Sequence, residues 1–384
     1  MEYNNFKDLD ISEIGMGCYA LSGSYGSVDI ENYGSVLNKA NKLGVNLFDT
    51  AATYGEEAEK ILGEVIEPMR EDVVVSTKIG VDDEGKPSLS FNEVKEQCEN
   101  SLNRLRTEYI DIYLVHFDDP NTPVEETVDA LEDLKREDKI KHYGVSHLPA
   151  ERVKEYLEKG NVSFCLMELS PVARKAREEL LPLCKEHGAK AIAFSVTGRG
   201  ILSGEIDENT KFEEGDIREM DPLFKKERFK SALRITREFK DIGEKYDKTP
   251  IQVAINWTLS QEGVISALTG PSSLEHLKEN VDGSGWELEN ADLEKIESII
   301  KREDEILEER EPQILKKILE KPLHKDTSRA YSDLIYVMEV AIERNMTEEK
   351  DILPIYRKLL TERKEGLTPD KLEKIQDELR GVIF

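Results

Sequence analysis

The chain has 384 residues, with 80 acidic and 53 basic side chains and a formal net charge of -27. A charge of this sign and size repels phosphate backbones and anionic lipid headgroups, so nucleic acid and the membrane surface are excluded as expected partners. No apolar run approaches the roughly 20 residues that cross a bilayer, the N-terminal residues lack a signal-peptide pattern, and the four cysteines lack metal-site spacing. We therefore expect a soluble cytoplasmic protein with reduced thiols.

Short β-branched segments alternate with amphipathic helical segments along residues 1–300. Residues 6–9 and 11–14 predict a hairpin across the bottom of a barrel. The strands of that barrel are predicted at Ile14–Cys18, Val45–Asp49, Val73–Lys78, Ile110–His116, His142–Ser146, Phe164–Glu168, Ala189–Phe194 and Val264–Leu268. Eight strands with helices between them predict an α/β fold of the (β/α)8 TIM-barrel type.

Local chemistry marks three helix starts and one long loop. The helix starts are the capping-box pairs Ser90/Glu93 and Ser272/Glu275 and the Thr249-Pro250 dipeptide. Residues 204–221 are polar and acidic, the composition of a long excursion over the barrel mouth. This loop is a candidate lid.

The barrel pattern ends near Ile300, and we divide the chain into a barrel of residues 1–300 and a helical C-terminal extension of residues 301–384. One face of a helix in the extension stays apolar, at Leu334, Val337, Met338 and Ala341. Thr368-Pro369 begins a last helix. We interpret the extension as a layer that stabilises the barrel or closes a dimer, with a lid or a recruitment device as the alternative.

Four groups that can carry a proton or a charge lie at or just past the C-terminal ends of three successive predicted strands. They are Asp49, Tyr54, Lys78 and His116. The C-terminal face of a parallel barrel is where its active site lies. Each residue taken alone is more often structural, as an ion pair, a packed ring or a core histidine, but the four together favour a catalytic site.

These four groups suit the reduction of a carbonyl by hydride. The alkoxide that forms must be protonated, and Tyr54 is the candidate acid, with its pKa lowered by the Lys78 ammonium that Asp49 holds in place. Neutral His116 can donate a hydrogen bond to the carbonyl oxygen. The hydride cannot come from a side chain, so a nicotinamide cofactor is implied.

The chain resembles the aldo-keto reductase superfamily over nearly all of residues 8–300, and the catalytic tetrad of that superfamily falls on the four residues above. Further matching segments are Gly15-Met16-Gly17-Cys18, Gly144-Val145-Ser146, residues 195–204 and residues 270–280. The resemblance implies an NAD(P)H-dependent reductase of a small-molecule aldehyde or ketone, with NADP(H) expected more than NAD(H).

The resemblance also implies residues that contact the cofactor and the substrate. The cofactor contacts are Ser146, His147, Phe194, Ser195, Thr197, Gly198, Arg199, Gly270, Ser272, His276, Glu279 and Asn280, and Tyr25 lines the substrate pocket. Phe194 stands where relatives stack an aromatic ring on the nicotinamide.

Some of these positions depart from the pattern of the superfamily. His147 replaces an Asn, Leu166 replaces a Gln that meets the carboxamide, and Gly270 and His276 replace basic residues of many NADP-preferring members. The changed carboxamide contacts and the helical extension of residues 301–384 keep a second class of function open, a nucleotide-sensing or interaction protein on the same barrel. The sequence leaves the physiological substrate and the oligomeric state undetermined.

Overall fold

A computed structural model describes residues 1–25, 30–82, 84–213 and 215–384 of the chain. The strands are β1 (Tyr3–Phe6), β2 (Leu9–Ser12), β3 (Ile14–Gly17), β4 (Leu47–Asp49), β5 (Val74–Ile79), β6 (Ile110–Val115), β7 (Ile140–Ser146), β8 (Phe164–Glu168), β9 (Lys190–Phe194) and β10 (Val264–Thr269). The helices are α1 (Ile30–Lys42), α2 (Glu56–Ile66), α3 (Phe91–Leu105), α4 (Val124–Arg136), α5 (Ala150–Lys159), α6 (Lys175–His187), α7 (Lys226–Gly243), α8 (Pro250–Leu259), α9 (Leu274–Val281), α10 (Asn290–Glu320), α11 (Thr327–Glu343), α12 (Glu349–Glu365) and α13 (Pro369–Ile383).

Strands β3 to β10 form a closed parallel barrel in chain order, and β10 pairs with β3 to complete it. The predicted (β/α)8 barrel is therefore confirmed, with strand ends within two residues of those expected. The buried strands were recognisable because parallel strands covered on both faces read as continuous β-branched runs. In β5 and β6 every residue is buried.

The predicted hairpin precedes the barrel, but its strands begin earlier than expected. β1 pairs antiparallel with β2, and the turn falls at Lys7, whose φ of 56° suits a tight reversal. Ile14 is not part of the hairpin because it pairs with Ala267 in the barrel. Leu9 and Ile11 of β2 pack against side chains of the barrel strands, so the hairpin contributes to the barrel core.

Two of the three predicted helix starts lie where expected. The amide of Ser90 donates to Glu93 Oε2 at 3.0 Å at the start of α3, and the amide of Thr249 donates to the side chain of Gln252 at 3.0 Å at the start of α8. The Ser272/Glu275 prediction is wrong by one residue. Ser273 caps α9 instead, because its hydroxyl accepts from the amide of His276.

Contacts divide the chain into two compact units. The barrel unit comprises residues 1–205 and 239–293, and the helical unit comprises residues 206–238 and 294–384. The helix α10 runs without a break through residue 300, so the division of the chain at that residue stays a prediction. Most of the predicted lid lies in the helical unit; position 214 of that loop lies outside the described residues, and the lid function stays a prediction.

The helical unit has its own apolar core, formed by α10 to α13. The predicted apolar face of α11, with Leu334, Val337, Met338 and Ala341, is buried there. Within the same unit Glu311 of α10 accepts from Arg228 Nε of α7 at 2.6 Å, and Glu303 lies 2.7 Å from Arg234 Nη2. Both carboxylates are fully buried. Because an unpaired buried charge is strongly destabilising, these pairs hold α7 against α10.

No helix in the described part of the chain carries an apolar stretch long enough to cross a membrane. All four cysteines are buried and unbridged.

Candidate active site

Lys78 lies at the centre of the candidate site. Its Nζ donates to Asp49 Oδ2 at 2.7 Å, to the carbonyl of Thr50 at 2.7 Å and to Tyr54 Oη at 3.0 Å. The pairing of β4 with β5 sets Asp49 opposite Ser76, two residues before Lys78, so that both side chains emerge at the C-terminal end of the barrel. The structure thus brings three of the four predicted catalytic residues into direct contact.

Lys78 is 1 % exposed and Asp49 is 4 % exposed. Burial alone would lower the pKa of Lys78, but the carboxylate of Asp49 and the phenol of Tyr54 outweigh burial and raise that pKa. Burial also raises the pKa of Asp49, against the opposing effect of the ammonium. The three acceptors around Nζ favour a charged lysine, and we therefore describe the pair as an ammonium and a carboxylate.

Tyr54 ends a short turn after β4, and Gly55 follows it with a φ of 100°, a left-handed value that favours glycine before α2. Burial raises the pKa of Tyr54, although Lys78 acts in the opposite direction. The ammonium does lower this pKa as expected, but the net shift is upward because desolvation of the phenol outweighs the nearby charge. Tyr54 carries its proton at neutral pH.

His116 directly follows β6, and its amide donates to the carbonyl of Ile79 at 2.7 Å. Its ring meets the ring of Tyr54 edge to face at 6.0 Å, and its Nδ1 lies 3.5 Å from Thr53 Oγ1. Burial, together with the charges of Lys78 and His147, lowers the pKa of His116 to about 2. The imidazole is therefore neutral at physiological pH and carries one ring N–H that can be donated to a carbonyl oxygen.

Aromatic rings surround Tyr54, and one of them was missed in the sequence. Tyr19 packs edge to face on Tyr54 at 5.0 Å and on Tyr25 at 5.8 Å. Tyr25 therefore lies one ring away from Tyr54, consistent with its predicted place in a substrate pocket. Tyr19 could have been found by the rule used for the tetrad, since it lies just past the end of β3.

The residues expected at the nicotinamide lie at the ends of β7 and β9. Ser146 ends β7, and His147 follows with a φ of 54° and donates its amide to the carbonyl of Leu166 at 3.1 Å. The imidazole of His147 meets the ring of Phe194 at 5.7 Å. Leu166 is buried in the apolar core of the barrel, so it offers a carboxamide no hydrogen bond.

The segment after β9 is a tight turn. Ser195, Gly198, Arg199 and Gly200 all have positive φ, and the amide of Gly200 donates to the carbonyl of Thr197 at 3.1 Å. A side chain at Gly198 would meet Ile201 Cγ2 at 2.9 Å, so the turn favours glycine there. The guanidinium of Arg199 lies 2.7 Å from Glu168 Oε1.

The segment after β10 leads from Gly270 and Ser272 into α9. His276 lies in the first turn of α9, with its Nε2 3.8 Å from Glu205 Oε2, and the carbonyl of Glu279 accepts from Gln252 Nε2 at 3.0 Å. Asn280 is 4 % exposed, and its Oδ1 has no hydrogen-bond partner among the described residues.

These observations test whether the chain fits a dinucleotide. The loops after the seventh and eighth barrel strands, with the N-terminus of a following helix, are where such barrels bind phosphate. The unpaired acceptor of Asn280 and the half-buried ring of Phe194 provide a polar contact and a stacking surface. In these two respects the residues fit the group, whereas Leu166 lacks the side-chain contact expected for the carboxamide and Gly270 lacks a basic side chain for a phosphate. Among the described residues, no cluster of His, Cys, Asp or Glu could hold a metal ion.

Comparisons with known proteins agree on one family. The profile described as "Aldo/keto reductase family" matches residues 13–301. An aldo-keto reductase of Bacillus subtilis is 32% identical over 315 residues, covering 78% of this chain and 94% of that protein. An NADH-specific methylglyoxal reductase of Escherichia coli is 32% identical over 307 residues, covering 74% of this chain and 93% of that protein. The solved structure of a glycerol dehydrogenase from Gluconobacter oxydans has a TM-score of 0.72 and 28% identity, covering 79% of this chain and 96% of that one.

Proposed function

Because the chain belongs to the aldo/keto reductase family of oxidoreductases, we propose that it reduces the carbonyl of a small aldehyde or ketone to an alcohol, using a nicotinamide cofactor. Tyr54 is the proposed proton donor. The observation that supports this role most directly is the buried ammonium of Lys78, 3.0 Å from Tyr54 Oη and 2.7 Å from Asp49.

A bound reduced nicotinamide supplies the hydride. His116, neutral because of its lowered pKa, donates a hydrogen bond to the carbonyl oxygen and orients it. The phenol of Tyr54 gives its proton to the oxygen as negative charge develops there. The phenolate left on Tyr54 faces the Lys78 ammonium, which stabilises it, and Asp49 keeps that ammonium charged and in place. A proton from solvent then restores the phenol.

We propose that the cofactor lies along the C-terminal end of the barrel. Phe194, beside Ser146 and His147, would hold the nicotinamide ring, residues 195–199 the pyrophosphate, and residues 270–280 the adenosine. The resemblance favours NADP(H), whereas a relative at 32% identity is named as NADH-specific. Both forms of the cofactor therefore belong in the test.

The test follows cofactor oxidation by the purified protein, with NADPH and NADH in separate assays over a panel of small aldehydes and ketones. Replacing Tyr54 with Phe removes one oxygen atom and should lower kcat by about 100-fold or more, the usual contribution of a general acid. Tyr3→Phe is the matched control. It removes the same atom from the hairpin, where the hydroxyl donates to the carbonyl of Gly44. Activity indifferent to Tyr54→Phe would contradict the proposal.

The second candidate function is a nucleotide-sensing protein on the same barrel. Leu166 favours it, because a buried apolar side chain replaces a carboxamide contact expected to hold the nicotinamide. Tight cofactor binding without turnover of any carbonyl in the panel would support sensing instead of reduction.

A further inference from the structure

Carboxylates lie beside Arg199 and His276, the basic side chains expected to contact the phosphate groups. Arg199 lies 2.7 Å from Glu168, and the two side chains are 21 % and 23 % exposed. His276 lies 3.8 Å from Glu205, in a more exposed setting. Glu168 balances the Arg199 charge that would otherwise attract a phosphate group, and Glu205 places a negative charge beside His276.

The Glu205 to His276 pair joins the two elements that bind phosphate in such barrels. Glu205 lies in the segment that follows β9, and His276 lies in the first turn of α9, which follows β10. The connecting residues 270–273 contain no basic side chain. The hydroxyl of Ser273 is engaged as the helix cap.

The other charged groups of α9 do not reverse this balance. Lys278 is exposed, and Glu275 and Glu279 lie on either side of it in sequence, so the helix carries two carboxylates for one permanent cation. The chain as a whole has a net charge of -27.

This arrangement bears on the one difference between the two nicotinamide dinucleotides, the phosphate on the adenosine ribose. A phosphate monoester carries between about -1.5 and -2 charges at neutral pH and is bound by free Arg or Lys side chains. A ribose hydroxyl needs no cation and can donate to a carboxylate, the arrangement used for NAD by other dinucleotide folds. A carboxylate therefore accepts the hydroxyl and repels the phosphate.

Building on the function proposed above, we propose that this site takes NAD(H) and discriminates against NADP(H), with Glu205 as the residue that excludes the 2′-phosphate. Glu168 contributes by occupying Arg199. This reverses the preference for NADP(H) that the resemblance implied.

The experiment measures binding to the protein free of cofactor, by titrating intrinsic fluorescence with NADH and NADPH at several salt concentrations. The wild type should bind NADH about tenfold more tightly than NADPH, a difference of about 1.4 kcal/mol. Glu205→Gln should tighten NADPH binding by about fivefold, the effect of removing one charge about 4 Å away in water. It should leave NADH binding almost unchanged, because the amide oxygen of the new side chain can still accept from the ribose hydroxyl. Ser272→Arg, which supplies a cation in the loop after β10, should also tighten NADPH binding.

Glu262→Gln is the matched control. It removes the same charge from another exposed pair, in which Glu262 lies 2.7 Å from Lys185, and it lies before β10, at the opposite end of the barrel from the α9 N-terminus. The NADH to NADPH ratio should not change in this variant. If the wild type binds NADPH as tightly as NADH or more tightly, the proposed selectivity is wrong and the proposed reductase function still stands. The same holds if Glu205→Gln leaves the NADH to NADPH ratio unchanged. Failure of both cofactors to bind would overturn the selectivity and the proposed function together.

Discussion

The buried pair of Lys78 and Asp49 gives the sharpest stability prediction. Asp49→Asn preserves the size of the side chain but removes the charge 2.7 Å from a lysine that is 1 % exposed. The ammonium then has only neutral acceptors, which are the Thr50 carbonyl, the Tyr54 hydroxyl and the amide oxygen of the new side chain. Breaking a buried ion pair by removing one partner costs about 3 to 5 kcal/mol, because the other charge stays buried and uncompensated.

The measurement is urea unfolding followed by circular dichroism. With a slope of about 3 kcal/mol per molar urea, the transition of the Asp49→Asn variant should move about 1 M or more below that of wild type. The double variant Asp49→Asn/Lys78→Met removes both charges and should regain most of this loss, since it leaves no charge unpaired in the core. Both variants should lack activity. Glu262→Gln, which disrupts an exposed pair, should change the free energy of unfolding by less than about 1 kcal/mol.

Two results would refute this reasoning. A single variant as stable as wild type would mean that Lys78 is not held as a buried ammonium. A double variant no more stable than Asp49→Asn would show that the loss comes from packing rather than from an unpaired charge.

Three further predictions concern the same site. The kcat/KM for carbonyl reduction should be independent of pH between about pH 5 and pH 9. Tyr54 stays protonated because its pKa is raised, and His116 stays neutral because its pKa is lowered to about 2. A fall in kcat/KM below about pH 6 would contradict this. Glu59 of α2 is buried, and its carboxylate accepts from Arg104 Nε at 2.6 Å and from the hydroxyl of Thr77, the residue before Lys78, at 2.6 Å. Glu59→Gln should therefore lower Tm and kcat together, at a cost of about 1 to 3 kcal/mol in stability; an unchanged Tm would contradict it. Tyr19→Leu should lower kcat/KM by up to about tenfold through loss of the ring contact with Tyr54, whereas Tyr19→Phe should not; equal effects of the two would assign the role to the hydroxyl.

The barrel and the grouping of the tetrad were predictable because both follow from patterns along the chain. Continuous β-branched runs locate buried parallel strands, and the ends of such strands share one face of a barrel. Asp49, Tyr54 and Lys78 therefore had to lie near one another once the strands were recognised.

Other features depend on burial and on contacts between distant segments. Whether desolvation or the Lys78 charge dominates the pKa of Tyr54 depends on how deeply the phenol lies, which no spacing reveals. The pairing of Arg199 with Glu168 joins residues 31 positions apart, and the sequence showed Arg199 only as a basic residue after a strand. The prediction missed the cap of α9 by one residue because Ser272 and Ser273 are adjacent, and either hydroxyl can accept from a helix amide.

The buried pairs of Glu303 with Arg234 and of Glu311 with Arg228 limit which segments of this chain can be exchanged with those of a related protein. A recombination crossover at residue 300 would cut α10 in mid-helix and leave Arg228 and Arg234 of α7 in a chimera without the carboxylates of Glu311 and Glu303. The segment that connects β9 to α8 must therefore come from the same parent protein as the C-terminal helices. Shuffling experiments that exchange barrels between relatives should keep these two segments from one parent.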